Sequence, residues 1–161
     1  MKKTLAVVAL LSIALVATWW WKGGDGAAVE PKDPVLAFDR IWIDHLPKND
    51  KDIVHVFAAI SEEPVGIFQA QTQWRGSYEL FRYEAHGDQI RFLYPQTGER
   101  EKARLRAREC SDKGMDFCLQ IDGASRGVTR YYSREGWEIG KHADAAALRE
   151  RAGAIVQSLS R

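Results

Sequence analysis

The sequence predicts a mainly β domain: an antiparallel meander of about eight strands closed into an up-and-down barrel, with a C-terminal amphipathic helix and an N-terminal membrane-anchor helix. Three observations predict it. Turn signals recur at a steady interval, and from Gly66 to Gly98 the glycines stand 10, 11 and 11 residues apart, the spacing of short antiparallel strands. Between the turns, apolar and polar side chains alternate with a period of two. No helix-length segment separates consecutive strands, so parallel crossovers are unavailable. A meander of this length has two edges, and closure removes both. A two-sheet sandwich or a strongly curved half-barrel is the alternative.

Three regions follow in chain order. Residues 1–22 read as a signal anchor, with a cleaved signal peptide as the alternative. Two lysines precede an uncharged run of 18 residues, Thr4 to Trp21, and about 17–25 apolar residues span a bilayer core. The run ends in Trp19, Trp20, Trp21 and Lys22, side chains suited to the bilayer–water boundary. A small-x-small cleavage site is poor, because Leu15 stands two places before Ala17. No cysteine precedes Cys110, so lipid attachment to an N-terminal cysteine is not expected. Residues 23–34 hold three glycines and two prolines with almost no bulky side chain, which predicts a flexible linker. Residues 35–161 form the exported β domain with its C-terminal helix. The positive end of the anchor stays inside. The expected location is therefore the inner membrane, with the domain in the periplasm or outside the cell. Signal cleavage would instead leave a secreted or periplasmic protein.

Strands are expected at 35–43, 52–61, 66–73, 80–85, 89–94, 102–108, 117–122 and 128–133. Phe81, Tyr83 and Ala85 alternate with Leu80, Arg82 and Glu84; Ile90, Phe92 and Tyr94 with Gln89, Arg91 and Leu93. Ala103, Leu105 and Ala107 alternate with a basic row, Lys102, Arg104, Arg106 and Arg108. The segment IVHVFAAI is apolar at both parities and should be covered on both faces. Trp42 and Trp137 are expected in the core. In residues 142–160, Ala145, Leu148, Ala152, Ile155, Val156 and Leu159 recur at helical spacing. That helix should lie against the sheet or close one end of the barrel. The whole has a calycin-like shape by architectural analogy, although the early Gly-x-Trp signature of lipocalins is absent.

Cys110 and Cys118 are the two cysteines. In an exported chain a disulfide is expected, with a turn near Gly114 setting the two positions opposite one another on adjacent strands. The spacing suits neither a zinc site nor a redox dithiol.

Catalytic signatures are missing. The histidines, His45, His55, His86 and His142, lack the spacing of a helical zinc site, and no nucleophile elbow, phosphate loop or dinucleotide fingerprint occurs. His55 reads as a core histidine and His86 as solvated. No metal or cofactor is expected. The densest mixture of aromatic, charged and small residues surrounds Trp74, Arg75 and Tyr78, which at a barrel mouth could wall a pocket, Arg75 facing an anion. Otherwise it is a turn with an exposed arginine. Arg104 and Arg106 lie on the basic row, either a solvated face balanced by acids such as Glu79 and Glu84 or a contact for anionic lipid or an acidic partner.

The net charge is +1 from 23 basic and 22 acidic residues. Lys2, Lys3 and Lys22 lie in residues 1–22, which hold no acid, so the remainder carries 20 basic against 22 acidic groups, a net −2. That argues against a nucleic-acid partner bound through bulk charge. The expected function is a membrane-tethered cell-envelope binding or interaction module without catalytic activity. Its partners would be the membrane, through the N-terminal helix, and a small apolar ligand or an envelope protein. The alternatives are a binder of a small apolar ligand inside the barrel and an envelope hydrolase of unrecognised type.

Overall fold

In the computed structural model, the described residues are 34–140 and 142–159. The anchor and most of the linker lie outside them, as does the expected membrane-spanning run. Among the described residues no helix is long and apolar enough to cross a membrane.

Eight antiparallel strands close into a barrel in chain order. They are β1 (Arg40–Ile43), β2 (Val54–Ile60), β3 (Val65–Gln71), β4 (Gly76–His86), β5 (Gln89–Leu93), β6 (Arg100–Glu109), β7 (Phe117–Asp122) and β8 (Arg130–Ser133), followed by helix α1 (Ala145–Leu159). The seam is short: Ile43 pairs with Tyr132, and the Ser133 hydroxyl donates to the Ile41 carbonyl at 2.7 Å. The alternating residues of β4 to β7 divide as their period requires. Phe81, Tyr83, Ile90, Phe92, Ala103, Leu105, Ala107, Phe117, Leu119 and Ile121 are buried in one cluster inside the barrel. Ala85, expected with them, is exposed at the end of β4.

The first expected strand begins late. Residues Pro34–Ala37 form a 3-10 turn, and Asp39 takes a positive φ of 56°, which breaks the extended run before β1. An aspartate tolerates that conformation better than most residues, and a hydrogen-bonded carboxylate fixes it. Here the Asp39 carboxylate accepts from the Ser61 backbone N–H at 2.8 Å and from the Ser61 hydroxyl. The break turns Leu36, Ala37 and Phe38 over one end of the barrel. There Phe38 stacks on Tyr83 at 5.0 Å, and the Trp42 indole donates to the Ala37 carbonyl at 3.0 Å. Arg40 is buried beside them, its guanidinium 3.8 Å from the Phe117 ring centre and bonded to Glu138 and to the Arg134 carbonyl.

Loop 123–129 covers the other end. Gly127 lies at φ 70°, and a Cβ there would sit 2.0 Å from the Tyr131 hydroxyl and 2.8 Å from the Phe68 ring. Only glycine satisfies both conditions. Between the two covers the interior is filled by aromatic side chains. Phe57, Phe68, Phe81, Tyr83, Phe92 and Tyr94 make successive ring contacts at 4.9–6.5 Å.

Helix α1 lies against the sheet and does not close an end. Asp144 caps it, accepting from the Ala147 N–H at 2.8 Å. Its buried face, Leu148, Ala152, Ile155 and Val156, covers the outward residues of β1–β3, among them Ile41, Val56, Ala58 and Ile67. This explains why β2 is apolar at both parities: Phe57 and Ala59 face the interior, and Val54, Val56, Ala58 and Ile60 face the helix side. Trp42 is fully buried in the interior, whereas Trp137 is half-buried against the helix-side cluster. Gln69 and Gln71 also face the helix side, bonded to one another, and the Gln69 Oε1 atom is buried without a partner.

Cys110 and Cys118 are joined by a disulfide, with Cα atoms 5.7 Å apart. Their register differs from the expectation. Cys118 stands opposite Arg108, and the Cys110 N–H bonds to the Asp116 carbonyl at 2.9 Å. The bridge is therefore diagonal, two positions out of register, because the 3-10 turn Asp112–Gly114 tightens the connection.

Candidate functional site

The sequence singled out two groups, and the fold separates them. Trp74 and Arg75 sit at the tip of the β3–β4 hairpin. The Thr72 hydroxyl accepts from both of their backbone N–H groups, at 3.2 and 3.1 Å, and the Thr72 N–H bonds to the Arg75 carbonyl at 2.7 Å. This tight turn leaves Trp74 72% exposed. A shallow depression beside it is lined by Ile53, Thr72, Arg75 and Ser77, not by Trp74 or Tyr78. Tyr78 lies on the outer face of β4, in register with Gln69, and Arg149 of α1 stands 4.6 Å from its ring centre.

Arg104 and Arg106 belong to a different face, the outer side of β4–β6. Register aligns Arg82 with Leu93 and Arg100, then Glu84 with Arg91 and Lys102. Seven cations (Arg82, Arg91, Arg100, Lys102, Arg104, Arg106 and Arg108) stand there, against Glu84 and the adjoining Asp88 and Asp122. The acids are spent in pairs: Arg91 with Glu84 at 3.5 Å, Arg104 with Asp88 at 3.1 Å and Arg106 with Asp122 at 2.6 Å. Glu79, offered by sequence as a neighbour of this row, faces the barrel mouth instead and pairs with Arg126. Between Arg82, Arg91, Leu93, Arg100 and Lys102 lies an open groove of ≈ 640 Å³, with Pro64 at its rim.

Two polar clusters escaped the sequence reading. At the mouth covered by loop 123–129, the Arg126 guanidinium stands 4.1 Å from the Tyr94 ring centre and pairs with Glu79 at 3.2 Å and with Glu99. Glu101 accepts from the Tyr94 hydroxyl at 2.8 Å and from the Ser125 N–H at 2.6 Å. The Arg126 hydrogen bond holds the Glu99 carboxyl below its ordinary range. Burial, followed by the bond to Glu101, raises the Tyr94 phenol well above its ordinary value. Arg126 thus pairs with two acids, and Glu101 is held by two neutral donors. The members of this clasp come from β4, the β5–β6 connection, β6 and loop 123–129, so no local spacing announces it.

The second cluster places His45 between Asp44 at 2.9 Å and Asp52 at 3.2 Å. A hydrogen bond from the Lys48 backbone N–H is the main cause of the lowered Asp52 pKa. Among the described residues no hydroxyl or thiol hydrogen-bonds to this histidine. Metal-type side chains also converge at Cys110, Asp112 and Cys118, but both sulfurs are used in the disulfide and neither is a thiolate.

Compared with known protein families, curated proteins and solved structures, this chain matches none.

Proposed function

We propose that this chain is a membrane-tethered interaction module of the cell envelope, without catalytic activity, working from the outer surface of a packed, calycin-like barrel. The observation that carries the reading is the filled interior: from Trp42 to Tyr131 the inward side chains are buried against one another, and both ends are covered. A barrel that holds a small ligand needs a cavity of a few hundred Å³, and side chains occupy that space here. The chemistry left for recognition is on the outside, where the basic face carries its surplus of cations. Two further observations support the membrane and envelope setting. The run Thr4–Trp21 is long enough to act as an anchor helix, and a disulfide suits an oxidising compartment such as the periplasm or the cell exterior. The polar clusters at Arg126 and His45 satisfy themselves and present no activated nucleophile.

The test is titration of the full chain in phosphatidylcholine nanodiscs with the apolar fluorophore N-phenyl-1-naphthylamine, against empty nanodiscs. The expected result is no saturable increment from the protein. A saturable signal of one site per chain would replace this reading with a barrel that binds a small apolar ligand.

A further inference from the structure

We propose that the groove on the outer face of β4–β6 is a binding site for a phosphate group, held by Arg82, Arg100 and Lys102. The inference deepens the outer-surface reading and rests on it. Four cations border this groove, and three of them are left over when the acids of the face have been used. Arg91 and Arg104 are engaged with Glu84 and Asp88, whereas Arg82, Arg100 and Lys102 have no acidic partner among the described residues. Glu101 also borders the groove, but its carboxylate is engaged at the mouth by Tyr94 and Ser125.

Register sets the geometry. Arg82 and Arg100 flank Leu93 on the two neighbouring strands, so their Cα atoms lie about 10 Å apart, two strand spacings. Lys102 follows Arg100 on the same face about 7 Å further along β6. Side chains from those three points line one groove together with Leu93. Two planar guanidinium forks and an ammonium suit a dianionic group with three terminal oxygens better than a singly charged carboxylate with two. Leu93 and Pro64 offer an apolar floor and rim, so a phosphate ester with an apolar portion is a better fit than inorganic phosphate. Such an ester could be soluble or could be the headgroup of a lipid in the membrane to which the chain is tethered.

The experiment reads the guanidinium groups one by one. The full chain in phosphatidylcholine nanodiscs is labelled with phenylglyoxal, and modification of each arginine is followed by peptide mass spectrometry. In one arm sn-glycerol 3-phosphate is added; in the other, phosphatidic acid replaces part of the phosphatidylcholine. The expected result is saturable slowing at Arg82 and Arg100, with Arg104 and Arg130 unchanged, in at least one arm. Slowing in the first arm alone assigns a soluble phosphate ester, and slowing in the second alone assigns a headgroup. In the responding arm, Arg82→Gln should raise the phosphate concentration needed for half-protection of Arg100 by about tenfold, the loss of one charged hydrogen-bonding partner. Arg104→Gln removes the same charge from an already paired site and should leave that concentration within about twofold. Equal slowing at all four arginines, equal effects of the two variants, or no slowing in either arm would overturn the site. Those outcomes leave the outer-surface reading intact if the apolar fluorophore finds no site, and only fluorophore uptake removes that reading itself.

Discussion

Gly66→Ala probes the packing of the barrel interior most sharply. Gly66 faces inward on β3, opposite Ala59 and Phe81. A Cβ at this position would lie 2.3 Å from Phe81 Cζ and 2.5 Å from the Ala58 carbonyl oxygen. Carbon atoms pack at about 3.5–4.0 Å, so the ring would have to retreat by more than about 1 Å. It has nowhere to go: Phe92 is 4.9 Å away, Phe68 5.1 Å and Phe57 5.8 Å, centre to centre. The carbonyl belongs to the β2–β3 ladder and cannot yield without breaking it. Overpacking of this kind costs about 1–3 kcal/mol, and two obstructions place this site at the upper end. Reduced freedom of the unfolded chain returns about 0.4–1 kcal/mol. The net expectation is a loss of about 2 kcal/mol, read as a lower urea midpoint with an unchanged slope in the far-ultraviolet circular dichroism of the sheet. In a Phe81→Leu background the same substitution should cost less, because one obstruction is gone. A loss under about 0.5 kcal/mol in the native background would mean that the interior has room, and the packed-barrel reasoning would fail.

Further outcomes follow from other parts of the structure. Thiol counting on denatured, non-reduced protein should find no free thiol, and replacing Cys110 and Cys118 together by Ser should cost at most about 2.5 kcal/mol for so short a loop. Arg104→Gln and Arg106→Gln should each change stability by no more than about 0.5 kcal/mol, since both ion pairs are solvent-accessible; several kcal/mol would contradict the outward assignment of that row. Glu99 has its folded-state pKa depressed by Arg126, so its contribution is present above the ordinary carboxylate range and is lost as pH falls through the depressed value. Acid unfolding of an Arg126→Met variant should therefore fall less steeply with pH over that range than that of the unsubstituted chain.

What the sequence made legible is what repeats locally. The parity of Phe81, Phe92, Leu105 and Leu119 assigns the interior face of four strands, and the offsets of Leu148, Ala152, Ile155 and Val156 locate the buried stripe of α1. The double apolar character of β2 foretold a cover on its outer side. Whatever depends on distant partners was hidden. Nothing near Asp39 reveals that Ser61 will stabilise its positive φ, so the 3-10 cover was read as strand. Arg126 meets Glu79 across 47 positions of sequence, and no periodicity joins them. Gly66 reads as an ordinary turn residue, although the Phe81 ring on the neighbouring strand determines its identity. The basic row was visible, but which of its cations lack an acid depends on the registers of β4, β5, β6 and β7.

Native mass spectrometry of the full chain released from membranes tests the central claim most directly, since one spectrum reports the tether, the staple and the interior together. The account predicts a chain that keeps residues 1–22 and weighs two hydrogens less than its reduced form, with no apolar molecule retained in stoichiometric amount. A mature N-terminus after residue 17, or a chain carrying one bound apolar ligand, would contradict it.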